Sequence, residues 1–535
     1  MPAGESGPVP ENVPNAPLAI NSGESAAAGP ASPAGGPEPA PPSSLPAVNA
    51  ALKAALEARS GHPDPRRLLS RREREAVASF YTARDFAPLW WNGGTPSPEA
   101  GSVFERLKHA ADDGLDLKGF RLAFSPSTDA EIAAADIALT DAVVAYGRQA
   151  SGSRVDPHMI SKLIGSGPEV ADPALILALV STAGESAGEE LRRFNPPQRG
   201  YQALREKLLE LRRGHGLTGR DPVLPEGPVL HRGMRDPRVP LVRARLSVES
   251  PLEAANELNG SGDILYDKKV AAAVAGFQKA NGLPASGKLT ARTAAALSGG
   301  QTSHLEAEIL ANMERWRWMP RDMGERRIEV NVPDYEASVI ENGEVIERTR
   351  VIVGKEQTPT PLFSESMRYL IVNPYWNVPP SIIRNEMASR LGSLHRQGYE
   401  VFSRGGRLVV RQPPGERNAL GRIKFIFPND FSVYMHDTPS RHLFASQKRA
   451  FSHGCVRVDA PFRLAETVLG RGNGWSEQRV RKLIGGKERY VHLPKPLPVH
   501  IEYFTAFVDE SGDLQLRADI YGYSRKVRAA LGLEG

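Results

Sequence analysis

The sequence predicts an α+β chain of several domains, because three textures follow one another along it. Helix-period apolar spacing dominates residues 48–225, and a compact unit of short helices of the three-helix type occupies 231–298. Short alternating stretches bounded by turn residues run from about 320 to 524, the pattern of a β-rich, sandwich-like domain. With 535 residues and 40% hydrophobic content, the chain can fill three or four ordinary cores.

Residues 1–47 are mostly Pro, Ala, Gly, Ser and Glu, with almost no aromatic or β-branched content. They cannot bury enough surface to offset chain entropy and are expected to form a disordered tether. Within 48–225, Val48–Ala58 and the series Val103, Leu107, Ala110 have helical spacing, as does Tyr201, Leu204, Leu208, Leu211 after the break at Pro196-Pro197. Trp90 and Trp91, ahead of Asn92-Gly93-Gly94, read as core or interdomain packing. In the compact unit Val270, Ala273, Val274 and Phe277 form one stripe on a helix that ends near Gly282. Leu283, Gly287 and Leu289 then make a turn, and Thr290 opens a second helix that ends near Leu297.

A helix through Met313 and Trp316 leads into the strand texture. Ile328, Val330 and Val332 alternate, as do Tyr335, Ala337 and Val339, before the hairpin pair Asn342-Gly343. Further strands are expected at 348–353, 369–373, 407–411, 423–427 and 432–436.

The formal net charge is +5, and residues 1–47 hold Glu5, Glu11, Glu24 and Glu38 without a single Lys or Arg, so the remainder is more basic than the total. Such a balance suits an anionic partner. No interleaved basic and aromatic pattern favours nucleic acid. No window approaches the roughly 20 apolar residues of a membrane helix, and Ala174–Val180 reads as a buried helix segment. The stretch PAGESGPVPENVPNAPLAI after Met1 has no basic and no apolar region of an export signal.

The single cysteine of the chain, Cys455, lies in FSHGCVRV, residues 451–458. One thiol excludes an intramolecular disulfide and any site built from several thiolates. A cysteine attacks as thiolate, and at an ordinary pKa near 8.5 it needs a base. Along 432–436, alternation puts Phe431, Val433 and Met435 on one face and Ser432, Tyr434 and His436 on the other. Cys455 and Arg457 likewise share a side, opposite Val456 and Val458. Asp459 is placed to cap a helix carrying Pro461 in its first turn. Gly454 removes a side chain beside the sulfur, and the amides of His453, Gly454 and Cys455 are candidates to face an oxyanion.

The string HDTPSRHLFASQKRAFSHGCVRV, residues 436–458, resembles the signature of L,D-transpeptidases, which crosslink peptidoglycan through a cysteine acyl-enzyme. RNALGRIKFIFPNDFSVYMHDTP (417–439), NPYWNVPPSI (373–382) and YFTAFVDESGDLQLRADIYG (503–522) resemble the larger members. FNPPQRGYQALREKL (194–208) resembles their scaffold domain, and YDKKVAAAVAGFQKANGLPASGKLTARTAAAL (266–297) a peptidoglycan-binding module.

The resemblance implies a scaffold domain at 48–225, a peptidoglycan-binding domain at 231–298 and a catalytic domain at 320–524 with a capping subdomain inserted near 381–414. It makes Cys455 the nucleophile and His436 its base. His453, Gly454 and Ser452 fall in the oxyanion and substrate set, Arg457 would hold a substrate carboxylate or brace the loop, and Tyr434 would line the cleft. The implied reaction releases D-alanine from a donor stem peptide and joins two diaminopimelate residues, with donor and acceptor stem peptides as partners and no metal or organic cofactor. Carbapenem β-lactams are implied inhibitors, and cell-wall biogenesis and cell shape in the periplasm the implied setting.

Three other readings stand beside it. A wall-binding protein with an inactive site would not depend on Cys455, and a hydrolase would share every residue but pass the acyl group to water. A zinc site at His436, His453 and Cys455, with His442, has suitable donors but lacks a standard spacing. Arg441, Lys448 and Arg449 are either contacts for an acidic glycopeptide or a solvated charged face.

Overall fold

The computed structural model describes residues 46–59, 68–92, 94–117, 120, 126–165, 167–214, 224–225, 227–246, 248, 264–280, 283–297 and 300–533. The expected tether lies outside this set except for its last two positions, which begin the helix Pro46–Arg59.

The first body packs the helices Pro46–Arg59, Arg71–Ala83, Pro98–Lys108, Asp129–Ala150 and Pro173–Ser181 around one apolar cluster. Two starts are capping boxes, Ser70 with Glu73 and Thr128 with Glu131, which satisfy otherwise orphaned amides. Trp90 and Trp91 are fully buried here. The buried carboxylate of Asp136 holds that segment: it accepts from the amides of Leu89 (3.0 Å) and Trp90 (2.7 Å) and from the Tyr81 hydroxyl.

The second body has its own cluster, including Leu230, Val242, Tyr266, Val270, Val274 and Leu289, and uses the helices Val239–Arg245, Lys268–Ala280 and Ala291–Leu297. Gln278 explains its spelling. The buried amide donates to Lys288 O and Thr293 Oγ1 and accepts from Gly287 N, tying both helices to the intervening turn. The expected helix end near Gly282 falls just outside the described residues.

Helix Gly300–Trp316 joins these bodies to the third, packing on Arg199–Gly214 and on the C-terminal helix Tyr523–Ala530. Trp316 stacks on Phe504 at 4.4 Å between centroids. Arg317, buried beside Glu314, donates to Asp113 O, so a polar joint as well as an apolar one links the N-terminal helices to the sheet.

The third body is one nine-stranded mixed sheet. Strands Glu344–Gly354, Val456–Val458, Met435–His436, Ile423–Ile426, Phe363–Val372, Arg489–Glu502, Arg326–Asn331 and Glu336–Glu341 follow in spatial order, and the last pairs again with Glu344–Gly354. The sandwich-like layering is thus reached by a sheet that closes on itself, with Ala450–Ser452 added alongside. Closure removes the free edges. Inward residues such as Val330, Val353, Leu370, Phe425, Met435 and Val456 fill its core.

Three details depart from the alternation pattern. The strand expected at 432–436 is reduced to Met435–His436, because the Asn429 side chain bonds the backbone of Phe427, Phe431 and Val433 and makes a turn with Ser432 at φ 56. Asp459 does not cap the following helix. Ala460 occupies that position, and the Asp459 carboxylate is taken by Arg350 and Arg441. The long central strand Arg489–Glu502 has no counterpart among the expected strands, since Pro494, Pro496 and Pro498 argue against one. A register shift between His492 and Leu497 absorbs the first two prolines.

Between strands Phe363–Val372 and Ile423–Ile426 the chain leaves the sheet to form a small body of its own, with a three-stranded sheet (Trp376–Asn377, Arg407–Gln412, Glu400–Arg404) and a cluster of Val378, Ile383, Met387, Leu394 and Val410. No helix among the described residues is long and apolar enough to cross a membrane.

Asp136→Ala is expected to leave the buried Trp90 amide and the part-buried Leu89 amide unpaired and to remove one partner of the Tyr81 hydroxyl, which keeps Thr140 Oγ1, costing about 3 kcal/mol. Chemical denaturation followed by tryptophan fluorescence checks this, and an unchanged midpoint would contradict the role assigned to Asp136.

Candidate functional site

Strand register assembles the site. Lys424 lies opposite His436, and His436 opposite Arg457, so these three side chains form a row across three strands on one face. Tyr434 and Cys455 each stand two positions earlier on their chains and project the same way, and Val456 N donates to Tyr434 O at 3.1 Å. Phe425, Met435, Val456 and Val458 point oppositely into the core. From a strand spacing of about 4.8 Å and a rise of about 3.3 Å, the Cα atoms of Cys455 and His436 stand about 8 Å apart on the diagonal, with side chains on a common face.

His436 is buried, and its Nδ1 lies 2.5 Å from Asp437 O. That carbonyl accepts from Nδ1, and the Leu420 carbonyl also bears on the ring; both favour its protonated form without reversing the effect of burial. Burial, and then the positive charges of Arg457 and Lys424, push the imidazole pKa down to about 3. Burial also pushes the part-exposed Cys455 thiol up, opposed by Tyr434, whose backbone and hydroxyl both bond to the sulfur, and by Lys424 and Arg457. The resting pair is therefore a neutral thiol and a neutral imidazole rather than an ion pair. The Tyr434 and His436 rings are 5.7 Å apart, and Lys424 Nζ lies 3.8 Å from the Tyr434 ring centroid.

The turn bearing the thiol is braced from below. Gly454 has φ 114, a left-handed conformation that favours glycine, and backbone geometry rather than crowding sets the preference, since a side chain there would meet Pro359 O at an ordinary 3.6 Å. The Thr360 hydroxyl donates to Gly454 O at 2.8 Å and accepts from Gly354 N at 2.8 Å. Tyr521 in turn accepts from Thr360 N and donates to Gly354 O, so the C-terminal segment supports the turn that carries the thiol. At Gly421 (φ 61) a side chain would strike the Asp437 carboxylate at 2.4 Å, which is how Asp437 comes close enough to accept from Arg422 N.

The residues named from sequence divide in the structure. Cys455, His436, Tyr434 and Arg457 share the face described above. Ser452 closes the turn, donating to Cys455 O and accepting from Gly454 N, so this serine does not face a substrate and the Gly454 amide is already engaged. His453 points outward to Glu386 of the small inserted body, with Nε2 to Oε1 at 2.7 Å and Lys355 Nζ at 3.5 Å. His442 is exposed. Arg441 bonds Asp437, Val458 O and Asp459, and Arg449 bonds Val351 O and Tyr335 O; both are structural ties. Lys424, Thr360 and Asp437 escape sequence reading. The alternation of IKFIF alone marks Lys424, by placing it opposite the core residues.

Among the described residues no group of three His, Cys, Asp or Glu side chains is arranged to hold a metal, which speaks against the zinc reading. A cavity of about 220 Å³ lies at the joint between the helical body and the sheet, lined by Pro196, Gln198, Trp316, Trp318 and Arg321 among others, and takes in none of the site residues.

Acidification should reveal the buried imidazole. Because its folded value of about 3 lies below the ordinary 6.5, the unfolded chain takes up a proton that the folded domain refuses, and stability falls as pH drops through 6.5 toward 3. Relative to His436→Gln, the wild-type protein should lose about 2 kcal/mol more between pH 7 and pH 5. Parallel denaturation curves at the two pH values measure the difference, and equal losses would show that the ring is not held neutral.

The family model for the L,D-transpeptidase catalytic domain matches residues 325–493, that for a "Scaffold domain" residues 75–208, and that for a "Putative peptidoglycan binding domain" residues 240–297. A Haemophilus influenzae protein described as "Putative L,D-transpeptidase" is 31% identical over 250 residues, 43% of this chain and 50% of the relative, so the match spans half of that protein's length. Among solved structures, an L,D-transpeptidase fragment from Xylanimonas cellulosilytica is 18% identical, covering 52% of this chain and 99% of that one at a TM-score of 0.15. An L,D-transpeptidase from Mycobacterium smegmatis is 16% identical, covering 33% and 58% at 0.19. Scores at this level carry no argument about this chain. The sequence matches do: residues 325–493 match the L,D-transpeptidase catalytic domain, and ahead of them lie stretches that match a scaffold domain and a peptidoglycan-binding domain.

Proposed function

We propose that the protein is a peptidoglycan L,D-transpeptidase in which Cys455 is the nucleophile and His436 the base. The observation that carries this reading is the common face of His436 and of Cys455, which stands just ahead of the paired strand Val456–Val458, with Nδ1 of the imidazole pinned to Asp437 O.

The thiol proton passes to the His436 imidazole as the sulfur attacks the carbonyl of the diaminopimelate residue in a donor tetrapeptide. A C–S bond forms, and the carbonyl electrons move to oxygen. Collapse of this tetrahedral species breaks the C–N bond to D-alanine, whose nitrogen leaves with the proton held by His436. The side-chain amine of an acceptor stem then attacks the thioester, gives its proton to His436 and releases the thiol, which leaves a crosslink between two diaminopimelate residues. Every proton taken by the imidazole is returned, so the chemistry calls for neither metal nor cofactor.

The low basicity of His436 suits transfer during attack rather than a standing imidazolium. The Gly454 amide is engaged with Ser452, which leaves the Cys455 amide as the nearer candidate for the oxyanion. The Arg457 Nε is buried without a hydrogen-bond partner among the described residues, which fits a guanidinium awaiting a substrate carboxylate. The bodies at 48–225, 231–298 and 320–524, with the insertion near 381–414 as cap, would place this chemistry on the wall, in the periplasm.

A carbapenem, as a strained acyl donor, should add one adduct to the intact mass, and Cys455→Ala should abolish it. An equal adduct on the variant would remove the cysteine from the reaction. His436→Ala should slow acylation at least tenfold with the fold retained by circular dichroism, whereas an undiminished rate would strike His436 from the mechanism. Deleting residues 231–298 should reduce co-sedimentation with purified sacculi, and full retention would assign wall binding elsewhere.

A further inference from the structure

We propose that Lys424 is the cation that stabilises the thiolate of Cys455, acting from two strands away across the ring of Tyr434. The proposal deepens the reading of Cys455 as nucleophile and rests on it. Lys424 sits in strand Ile423–Ile426 opposite His436, on the face that carries Tyr434, Cys455 and Arg457. Its Nζ is 3.8 Å from the Tyr434 ring centroid, a cation–π contact that holds the ammonium at the centre of the site. Tyr434 in turn bonds to the sulfur through its backbone and hydroxyl. Ammonium, aromatic ring and thiol thus form one connected stack.

The lysine has no competing role. Among the described residues it makes no hydrogen bond and no ion pair, although the residue is partly buried. The one carboxylate that bears on it, Glu488, accepts from Tyr375 N at 2.8 Å. A desolvated ammonium with its donors unspent is costly, and a thiolate beside it offsets that cost. The influence is mutual: burial pushes the Lys424 ammonium down, while the charge of Cys455 pushes it back up.

His436 cannot serve as the standing counter-ion. It is buried, it pairs in register with both Lys424 and Arg457, and their charges disfavour a third cation between them. The groups that face the thiol are therefore Lys424 from one strand, Tyr434 and His436 from the next, and Arg457 from its own. Glu488 lies behind Lys424, and the His453, Glu386 and Lys355 cluster stands on the outer side of the turn. Of the two cations, Lys424 lowers the thiol more than Arg457 does. Lys424 is thus a positioning and electrostatic residue that divides the labour: the lysine holds negative charge on sulfur, and the imidazole carries the proton.

The test is the pH profile of Cys455 alkylation by iodoacetamide in the full-length protein, read by intact mass. Lys424→Met should move the midpoint of the profile upward by about one pH unit, so that alkylation at pH 7 slows about tenfold, while Lys424→Arg should restore most of the wild-type profile. A merely structural lysine would lower the rate at every pH and leave the midpoint in place, and that result would overturn the proposal, as would an unchanged profile. Circular dichroism and sacculus co-sedimentation report folding of each variant, and Lys424→Gln provides a second neutral side chain should the Met variant not fold. Iodoacetamide does not require a transpeptidase, so a wild-type protein that alkylates as described yet forms no carbapenem adduct would sink the enzyme reading alone.

Discussion

Two strands of two and three residues, Met435–His436 and Val456–Val458, run parallel at the centre of the sheet, and their register decides whether there is a site at all. Side chains alternate with period two, so a slip of one residue would turn His436 into the core and send Val456 out. Strands so short cannot set that register by their own hydrogen bonds. Arg441, in the connection between them, does it from outside: its guanidinium bonds Asp437 at the end of one strand and Val458 O and Asp459 at the end of the other. The strands Ile423–Ile426 and Glu344–Gly354 flank the pair on either side. The apolar residues Met435, Val456 and Val458 make the alternative register expensive.

Once that register is set, the electrostatics follow. Two cations and one imidazole in a row, next to a mostly buried thiol, cannot all be charged as cations. The imidazole, which titrates most readily, yields and stays neutral. Such an arrangement is poor for storing an ion pair and well suited to one that exists only while a substrate is being attacked. It also protects the thiol at rest, since a raised thiol is a slow nucleophile toward adventitious electrophiles.

The legible part of this site was the part written in consecutive residues. SHGC-VRV and the histidine upstream carry the thiol and the imidazole, and alternation alone puts Cys455 with Arg457 and Tyr434 with His436. What came from further away in the chain was not legible. Lys424 looks like any outward lysine in a half-buried strand until the antiparallel pairing sets it opposite His436. Thr360 reads as a loop threonine among prolines, and only folding brings its hydroxyl under Gly454. Arg441 looked like one of several surface cations, and the difference lies in two carbonyl-bearing strand ends that no local pattern announces. The strand Arg489–Glu502 was hidden for the opposite reason, since its prolines spell a loop while a shifted register makes room for them. Ser452 entered the set by proximity: three residues from Cys455 along the loop, it turns its hydroxyl inward to close the turn.

The small inserted body adds a constraint of a different kind. Its sheet and small apolar core are self-contained, and its chain leaves and re-enters at two strands that are direct neighbours, so it can shift without unzipping the main sheet. Across the site it reaches the motif itself, where Glu386 bonds His453 two residues before the thiol. Both partners of that contact are substantially exposed, so the pair is a weak tie in water. Under the proposed function the inserted body would cover a peptide cleft, and a weak tie would suit that role by biasing it toward the turn without keeping a substrate out. The braces beneath the turn, the buried Thr360 and the partly buried Tyr521, hold the sulfur independently of that body.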